Sequence, residues 1–193
     1  MVTDINELDF SKKYSYADYL TWWFDERVEL IKGYIKKMSP APSNTHQKVI
    51  GNLHLEIGKF LKKKKCQIRI APFDVRLTRT VNDKESFTVV QPDICVICNP
   101  EILDERGCNG VPDLIIEILS LSSKKHDLVT KYQLYQEVGV HEYWVAYPNE
   151  KMIEVFLLEN NKYTLKGKFF EDDKLSVYTL PGLTIDLSEV FEE

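Results

Sequence analysis

The chain has 193 residues, 44% of them hydrophobic and 28% charged, with a formal charge of -5 at neutral pH. A chain of this length buries enough apolar surface to fold as a single domain, expected over residues 1–193, without needing disulfide or metal staples. It has no apolar run of the roughly eighteen residues that a membrane span requires, and its acidic balance argues against a surface that attracts nucleic acid everywhere, though not against a local basic groove.

The N-terminal stretch MVTDINELDFSKKYSY is acidic and lacks a basic segment followed by an apolar one. It does not read as a secretory signal, and a cytoplasmic location is expected. In YSYADYLTWWF, Tyr16, Tyr19, Leu20 and Trp23 recur at helical spacing, with Ser15 placed to cap a short amphipathic helix whose aromatics pack in a core. VELIKGYIKKMSP sets Gly33 between two β-prone runs, which predicts a hairpin ending at Pro40 and Pro42 with Glu29 on its first strand. Val49, Ile50, Leu53, Ile57, Phe60 and Leu61 then recur every three or four residues and predict a long helix, with Ser43, Asn44 or Thr45 as its cap. CQIRIAPFDVRLT, SFTVVQPDICVIC and PDLIIEILS follow as β-prone runs that make a central sheet, the first two separated by a polar turn at Thr80 to Glu85.

SSKKHDLVTKYQLYQEVGV returns to helical period, with Leu128, Tyr132, Leu134 and Tyr135 on the apolar face and Gly139 placed to end the helix. HEYWVAYP, MIEVFLLEN and NKYTLKG read as successive strands, the last two joined at Asn160 and Asn161, and LPGLTIDLSEVFEE as a closing strand and short helix.

Four cysteines, Cys66, Cys95, Cys98 and Cys108, are expected to be buried, inert thiols, because a reducing compartment disfavours disulfides. Cys95 and Cys98 form a C-x-x-C within one strand-like run, with no second pair at zinc spacing, and strand alternation sends them to opposite faces. The one basic concentration, Lys62 to Lys65 followed by Arg69, Arg76 and Arg79, reads as a solvated helix end before it reads as a phosphate track.

Two carboxylates stand where packing prefers none. Asp93 follows Pro92 in an apolar run, and Glu117 sits inside LIIEIL. A buried carboxylate is costly unless it is paired, hydrogen-bonded or bound to a cation. If the two strands are neighbours, Asp93 and Glu117 offer hard oxygen ligands suited to Mg2+ or Mn2+, with Glu29 completing the cluster. Pairing with lysines at a sheet edge explains the spacing nearly as well.

Taken in order, E-L-I-K-G-Y, M-S-P-A-P-S-x-x-H, Q-P-D-I, V-P-D-L-I-I-E-I-L-S, D-x-x-x-K-Y-x-x-Y and G-V-x-E-Y-W-V resemble the Uma-type family of restriction-endonuclease-like proteins, within the PD-(D/E)xK nuclease superfamily. The resemblance runs from about Tyr16 to Leu183. It implies an α/β fold, a restriction-endonuclease-like mixed central β-sheet flanked by helices with additional β-hairpins. It also implies catalytic and metal-binding roles for Glu29, Asp93 and Glu117. The position of the motif lysine holds Leu119, and Lys131, matching the family's K-Y, is the candidate substitute, reaching in from the following helix. Asp127, four residues before Lys131, offers it a plain surface ion pair instead.

His46 matches the family histidine at the start of the long helix, able to contact a phosphate or a carboxylate, although a lone histidine is more often a cap or packing residue. Ser120 stands at the strand end where it can shape a substrate site or simply begin a turn. Asp113 forms a second P-D and reads as the residue that opens its strand, an exchange of roles with Asp93 staying open. Tyr132, Tyr143 and Trp144 read as core aromatics.

The implied activity is Mg2+- or Mn2+-dependent endonucleolytic hydrolysis of DNA, by a protein expected to dimerise. The alternatives are a non-catalytic nucleic-acid-binding module on the same scaffold, which the leucine at 119 favours, and a structural homo-oligomer. No base-reading motif identifies a recognition sequence.

Overall fold

The computed structural model describes residues 1–38, 43–78, 82–119 and 125–192, the side chains of 125–127 excepted. Ser120, Arg79, Pro40 and Pro42 lie outside the described residues. The chain divides into two compact units that alternate along the sequence. Unit 1 is Met1–Pro40, Phe73–Gln91 and Glu101–Val111, and unit 2 is Ala41–Pro72, Pro92–Pro100 and Pro112–Glu193. The crossings within the described residues fall at Pro72, Pro92, Pro100 and Pro112. Proline has no N–H to donate, so a ladder ends there and the chain is free to leave for another sheet.

In chain order, unit 1 opens with α1 (Tyr16–Tyr19), β1 (Val28–Ile31) and β2 (Tyr34–Lys37), and unit 2 with α2 (Asn44–Leu61) and β3 (Gln67–Ile70). The chain returns to unit 1 for β4 (Val75–Arg76) and β5 (Val89–Val90), to unit 2 for β6 (Ile94–Ile97), and again to unit 1 for β7 (Leu103–Asp104) and β8 (Gly107–Asn109). Unit 2 then holds β9 (Leu114–Ile118), α3 (Lys125–Val138), β10 (Glu142–Tyr147), β11 (Met152–Glu159), β12 (Lys162–Phe170), β13 (Lys174–Ser176), β14 (Thr184–Asp186) and α4 (Leu187–Phe191).

Unit 1 is built on a six-stranded sheet in the order β2-β1-β5-β4-β8-β7. Ser15 caps α1 through a reciprocal capping box with Asp18, as its position predicts, but the helix lasts a single turn. The expected helix through Trp23 is therefore corrected: Trp22 joins Tyr14, Tyr19 and Phe24 in an aromatic group, while Trp23 is 76% exposed. The β1–β2 hairpin turns at Lys32 and Gly33, both at positive φ, and a Cβ on Gly33 would meet Lys13 Cβ at 3.0 Å. Arg76, grouped above with the exposed basic residues, is buried. It pairs with Asp104 at 2.6 Å and Asp83 at 3.6 Å, with its guanidinium over the Tyr16 ring. Sequence could not assign it, because the acids it pairs with come from two later segments.

Unit 2 carries a six-stranded mixed sheet in the order β12-β11-β10-β9-β6-β3, with only β9 and β10 parallel. Ser43 is the cap of α2, accepting from the His46 N–H. Val49, Ile50, Leu53, Ile57 and Leu61 of α2 share a buried cluster with Ile94, Val96, Leu114, Ile116, Ile118 and Trp144, together with residues of α4. The alternate residue Tyr143 points to the opposite face and meets Tyr135 of α3, ring centroids 5.2 Å apart. The sheet is thus covered by α2 and α4 on one face and α3 on the other, the expected α/β arrangement of a mixed sheet flanked by helices. Gly139, at φ +91°, ends α3, and Asn160 and Asn161, both at positive φ, turn β11 into β12. The exposed Lys62–Lys65 run closes α2 as a solvated helix end.

The cysteines need a correction. Cys66 and Cys98 are joined in a disulfide, while Cys95 and Cys108 are buried thiols outside it. The β3–β6 register pairs Gln67 with Ile97 in antiparallel sense, so Cys66 and Cys98 stand opposite each other one step further along. That pairing is a property of the sheet and is invisible in a C-x-x-C spacing. Chain denatured without reductant should accept iodoacetamide at Cys95 and Cys108 only, and at all four positions after reduction, as read by peptide mass spectrometry.

Leu53 is fully buried on the inner face of α2, whereas Leu55 is 52% exposed. Leu53→Ala should lower unfolding free energy in urea by about 2–5 kcal/mol. Leu55→Ala should change it by no more than about 0.5 kcal/mol.

Candidate functional site

β6 and β9 run antiparallel with Ile94 opposite Ile116 and Cys95 opposite Ile115. The ladder stops at Ile94 and Ile116, one residue short of Asp93 on the first segment and of Glu117 on the second. Asp93 does not lie inside a strand, as the apolar run predicts, but in the bend before β6, where Pro92 has interrupted the ladder. Its Oδ2 accepts the Ile118 N–H at 2.8 Å, so the aspartate takes up a backbone donor next to Glu117.

Glu117 is buried at 8% exposure. Its Oε1 accepts from Lys131 Nζ at 3.0 Å and from the Tyr135 hydroxyl at 2.6 Å, both on α3. Residues four apart on a helix lie on one face, which is how Lys131 and Tyr135 reach a single oxygen. The Lys131 ammonium thus sits on the Glu117 carboxylate, reaching it from α3. Tyr135 is a residue that sequence reasoning leaves among the apolar positions of α3. The signal that could have found it is its spacing of four from Lys131.

His46 is buried in the first turn of α2, its Nε2 3.4 Å from Asp93 Oδ2. Burial pulls the imidazole pKa down, but the hydrogen bond to Asp93 and that carboxylate's charge outweigh it, leaving the pKa above the ordinary value. Asp113 lies at the other end of β9. Its Oδ2 accepts the Cys98 N–H at 2.7 Å, and its own N–H donates to Val96. Four residues of strand, about 13 Å at roughly 3.3 Å per residue, separate it from Glu117, so it opens the strand and does not exchange roles with Asp93.

Unit 2 therefore brings together Asp93, Glu117, Lys131 and His46. Glu29 belongs to unit 1, on β1 as expected, buried, with Oε1 accepting the Gln91 N–H at 2.9 Å. Around it the Gln91 side chain donates to Asp74 at 2.8 Å and accepts from Arg27 at 2.8 Å. The Tyr16 hydroxyl donates to the same Asp74, and burial followed by the Asp74 charge raises the Tyr16 pKa.

Whether the pair in unit 2 suits a divalent cation is a question of donor chemistry. Among the described residues no group of three His, Cys, Asp or Glu side chains is arranged to hold a metal. Mg2+ does not require three, since it is commonly held by one or two carboxylates and keeps several waters. A further observation fits such a hydrated group. The Tyr143 hydroxyl, like His46 Nδ1 and Thr179 Oγ1, is a buried polar atom without a hydrogen-bond partner among the described residues. Burial, and then the negative charge of Glu117, push the Tyr143 pKa well above the phenol range, which sets its hydroxyl in the field of that carboxylate. Buried polar atoms of this kind are ordinarily satisfied by water or an ion. The residues present fit a hydrated divalent cation on two carboxylates.

A comparison with curated proteins found no match. Among solved structures, the chain is similar to "a putative nuclease belonging to DUF820 from Anabaena variabilis ATCC 29413", with 18% identity and a TM-score of 0.71 over 92% of this chain and 97% of that one. At that identity the likeness is one of fold. The family model described as "Uma2: Putative restriction endonuclease" matches residues 16–188. Because that match spans most of the chain, the protein belongs to the Uma2 family of restriction-endonuclease-like proteins.

Proposed function

We propose that this protein is an endonuclease that hydrolyses phosphodiester bonds in DNA with the help of Mg2+ or Mn2+ held by Asp93 and Glu117. The observation that supports the reading is that Asp93 accepts the backbone N–H of Ile118, the residue after Glu117, while the Lys131 ammonium pairs with the Glu117 carboxylate. A divalent cation bound there would lower the pKa of water and neutralise charge on the phosphoryl oxygens.

The chain's own groups have separate tasks in this reading. Asp93, in the bend before β6, and Glu117, on β9, supply hard oxygen donors, and the hydrogen bond from the Ile118 N–H ties the first to the strand that carries the second. Lys131 holds Glu117 in the free protein and offers its ammonium to the phosphoryl oxygens or to the attacking water, the task that a lysine at position 119 would otherwise perform. His46 donates to Asp93 through Nε2 and fixes the direction of that carboxylate. Glu29 enters as an assisting carboxylate on the family resemblance alone, and Ser120 as a substrate contact because it follows Glu117 at the strand end in the sequence. A homodimer also belongs to the proposal, and sedimentation of the purified chain tests it.

A non-catalytic nucleic-acid-binding module is the second reading, and Leu119 is the specific observation that favours it. A nuclease assay separates the two. The intact chain is incubated with duplex DNA, single-stranded DNA and RNA, with Mg2+ or Mn2+ and with chelator. Cleavage of DNA that requires the cation is expected. Asp93→Ala and Glu117→Ala should abolish it while leaving the circular dichroism spectrum unchanged. Lys131→Met should reduce the rate by about 100- to 1000-fold, the usual cost of losing one preorganised charge in an active site. Cleavage unchanged in Glu117→Ala rejects the site. DNA binding without cleavage under every condition favours the module.

A further inference from the structure

Lys131 and Tyr135 reach the same oxygen of Glu117, but they are held very differently. Tyr135 is fully buried, and its ring packs edge-on against Tyr143, which stacks in turn on Phe156 and Tyr163. Its backbone carbonyl accepts from both Gly139 and Val140 at the end of α3. An aromatic side chain has two rotatable bonds, and here both are set by packing, so the hydroxyl has one place to be. Its 2.6 Å bond to Oε1 is buried, and a hydrogen bond to a carboxylate is strong there. Lys131 ends in an ammonium on a flexible four-carbon stem, 16% exposed at the side chain, and its bond to Oε1 is longer at 3.0 Å.

We propose that Tyr135 is a positioning residue that holds Glu117 by Oε1 in the orientation needed to receive a cation, while Lys131 supplies a replaceable counter-charge. The inference rests on the function proposed above for Asp93 and Glu117. A neutral phenol does not compete with a divalent cation for the carboxylate, whereas an ammonium does, because two positive charges at one carboxylate repel. Removing the two groups should therefore affect cation binding in opposite directions. Tyr135→Phe frees Glu117 to turn and loosens binding. Lys131→Met removes a competitor and does not.

Two measurements on the full chain test this. Calorimetric titration with Mn2+ should show a Kd about tenfold weaker in Tyr135→Phe than in the wild type, the size expected for one hydrogen bond to a charged group. Lys131→Met should bind Mn2+ as tightly as the wild type or more tightly. A role confined to packing would lower the melting temperature of Tyr135→Phe and leave the Kd alone. An unchanged Kd in Tyr135→Phe, or a tenfold loss in Lys131→Met, overturns the proposal.

The second measurement is proton NMR of the metal-free chain, which should show one downfield hydroxyl resonance, protected from exchange, that vanishes in Tyr135→Phe and shifts in Glu117→Gln. Absence of that resonance from the wild type overturns the clamp, whether or not the phenylalanine variant folds. If the wild type binds no Mn2+, the proposed metal-dependent function fails. The resonance then decides the Tyr135 contact separately, its presence upholding the clamp on Glu117 and its absence removing it.

Discussion

The antiparallel register between β6 and β9 is the constraint on which the proposed site depends. Because side chains alternate along a strand, a slip of one residue would take Glu117 from the face it shares with Tyr135 to the face packed on α2. The slip is prevented by the apolar residues. Ile94 and Val96 of β6, with Leu114, Ile116 and Ile118 of β9, all enter the cluster under α2, so the same alternation that fills this core delivers Glu117 to the other side. Packing thus sets the face on which Glu117 emerges.

Placing an acid inside a sheet carries a cost that α3 offsets. Glu117 is surrounded by isoleucines on its own strand, and its charge is met by a lysine and a phenol one helical turn apart. Taking away one member of a buried ion pair typically costs about 3–5 kcal/mol, because the remaining charge has lost its compensation. That penalty ties helix and strand together. The aromatic wall of Tyr132, Tyr135, Tyr143, Phe156 and Tyr163 gives the helix a seat that does not depend on charge at all. In the proposed function, affinity for a cation and stability of the fold are therefore linked at Glu117.

Much of this was legible from the residues. The period of Val49 to Leu61 identifies α2, Gly33 and the two asparagines mark hairpins, and the charge inside LIIEIL flags Glu117 because nothing apolar explains it. What escaped was non-local. SFTVVQPDICVIC reads as one β-prone run, yet Pro92 divides it between two sheets, leaving Gln91 in unit 1 and Asp93 in unit 2. The prolines at the other crossings show the same division, and their meaning emerges only once two sheets are known to exist. The Cys66–Cys98 bond depends on strand pairing, the burial of Arg76 on acids brought in from other segments, and the role of Tyr135 on its being four residues from a lysine whose own partner was unknown. Trp23 was misplaced because a helical pattern of aromatics continued after the helix had stopped.

The central claim is that Asp93 and Glu117 form one cation site. Anomalous diffraction from crystals of the intact chain grown with Mn2+ tests it most directly. The account predicts a single strong peak in contact with carboxylate oxygens of both residues, at about 2.0–2.3 Å as for small hard cations on oxygen. A peak bound elsewhere, or none at Mn2+ concentrations that saturate cleavage, would contradict it.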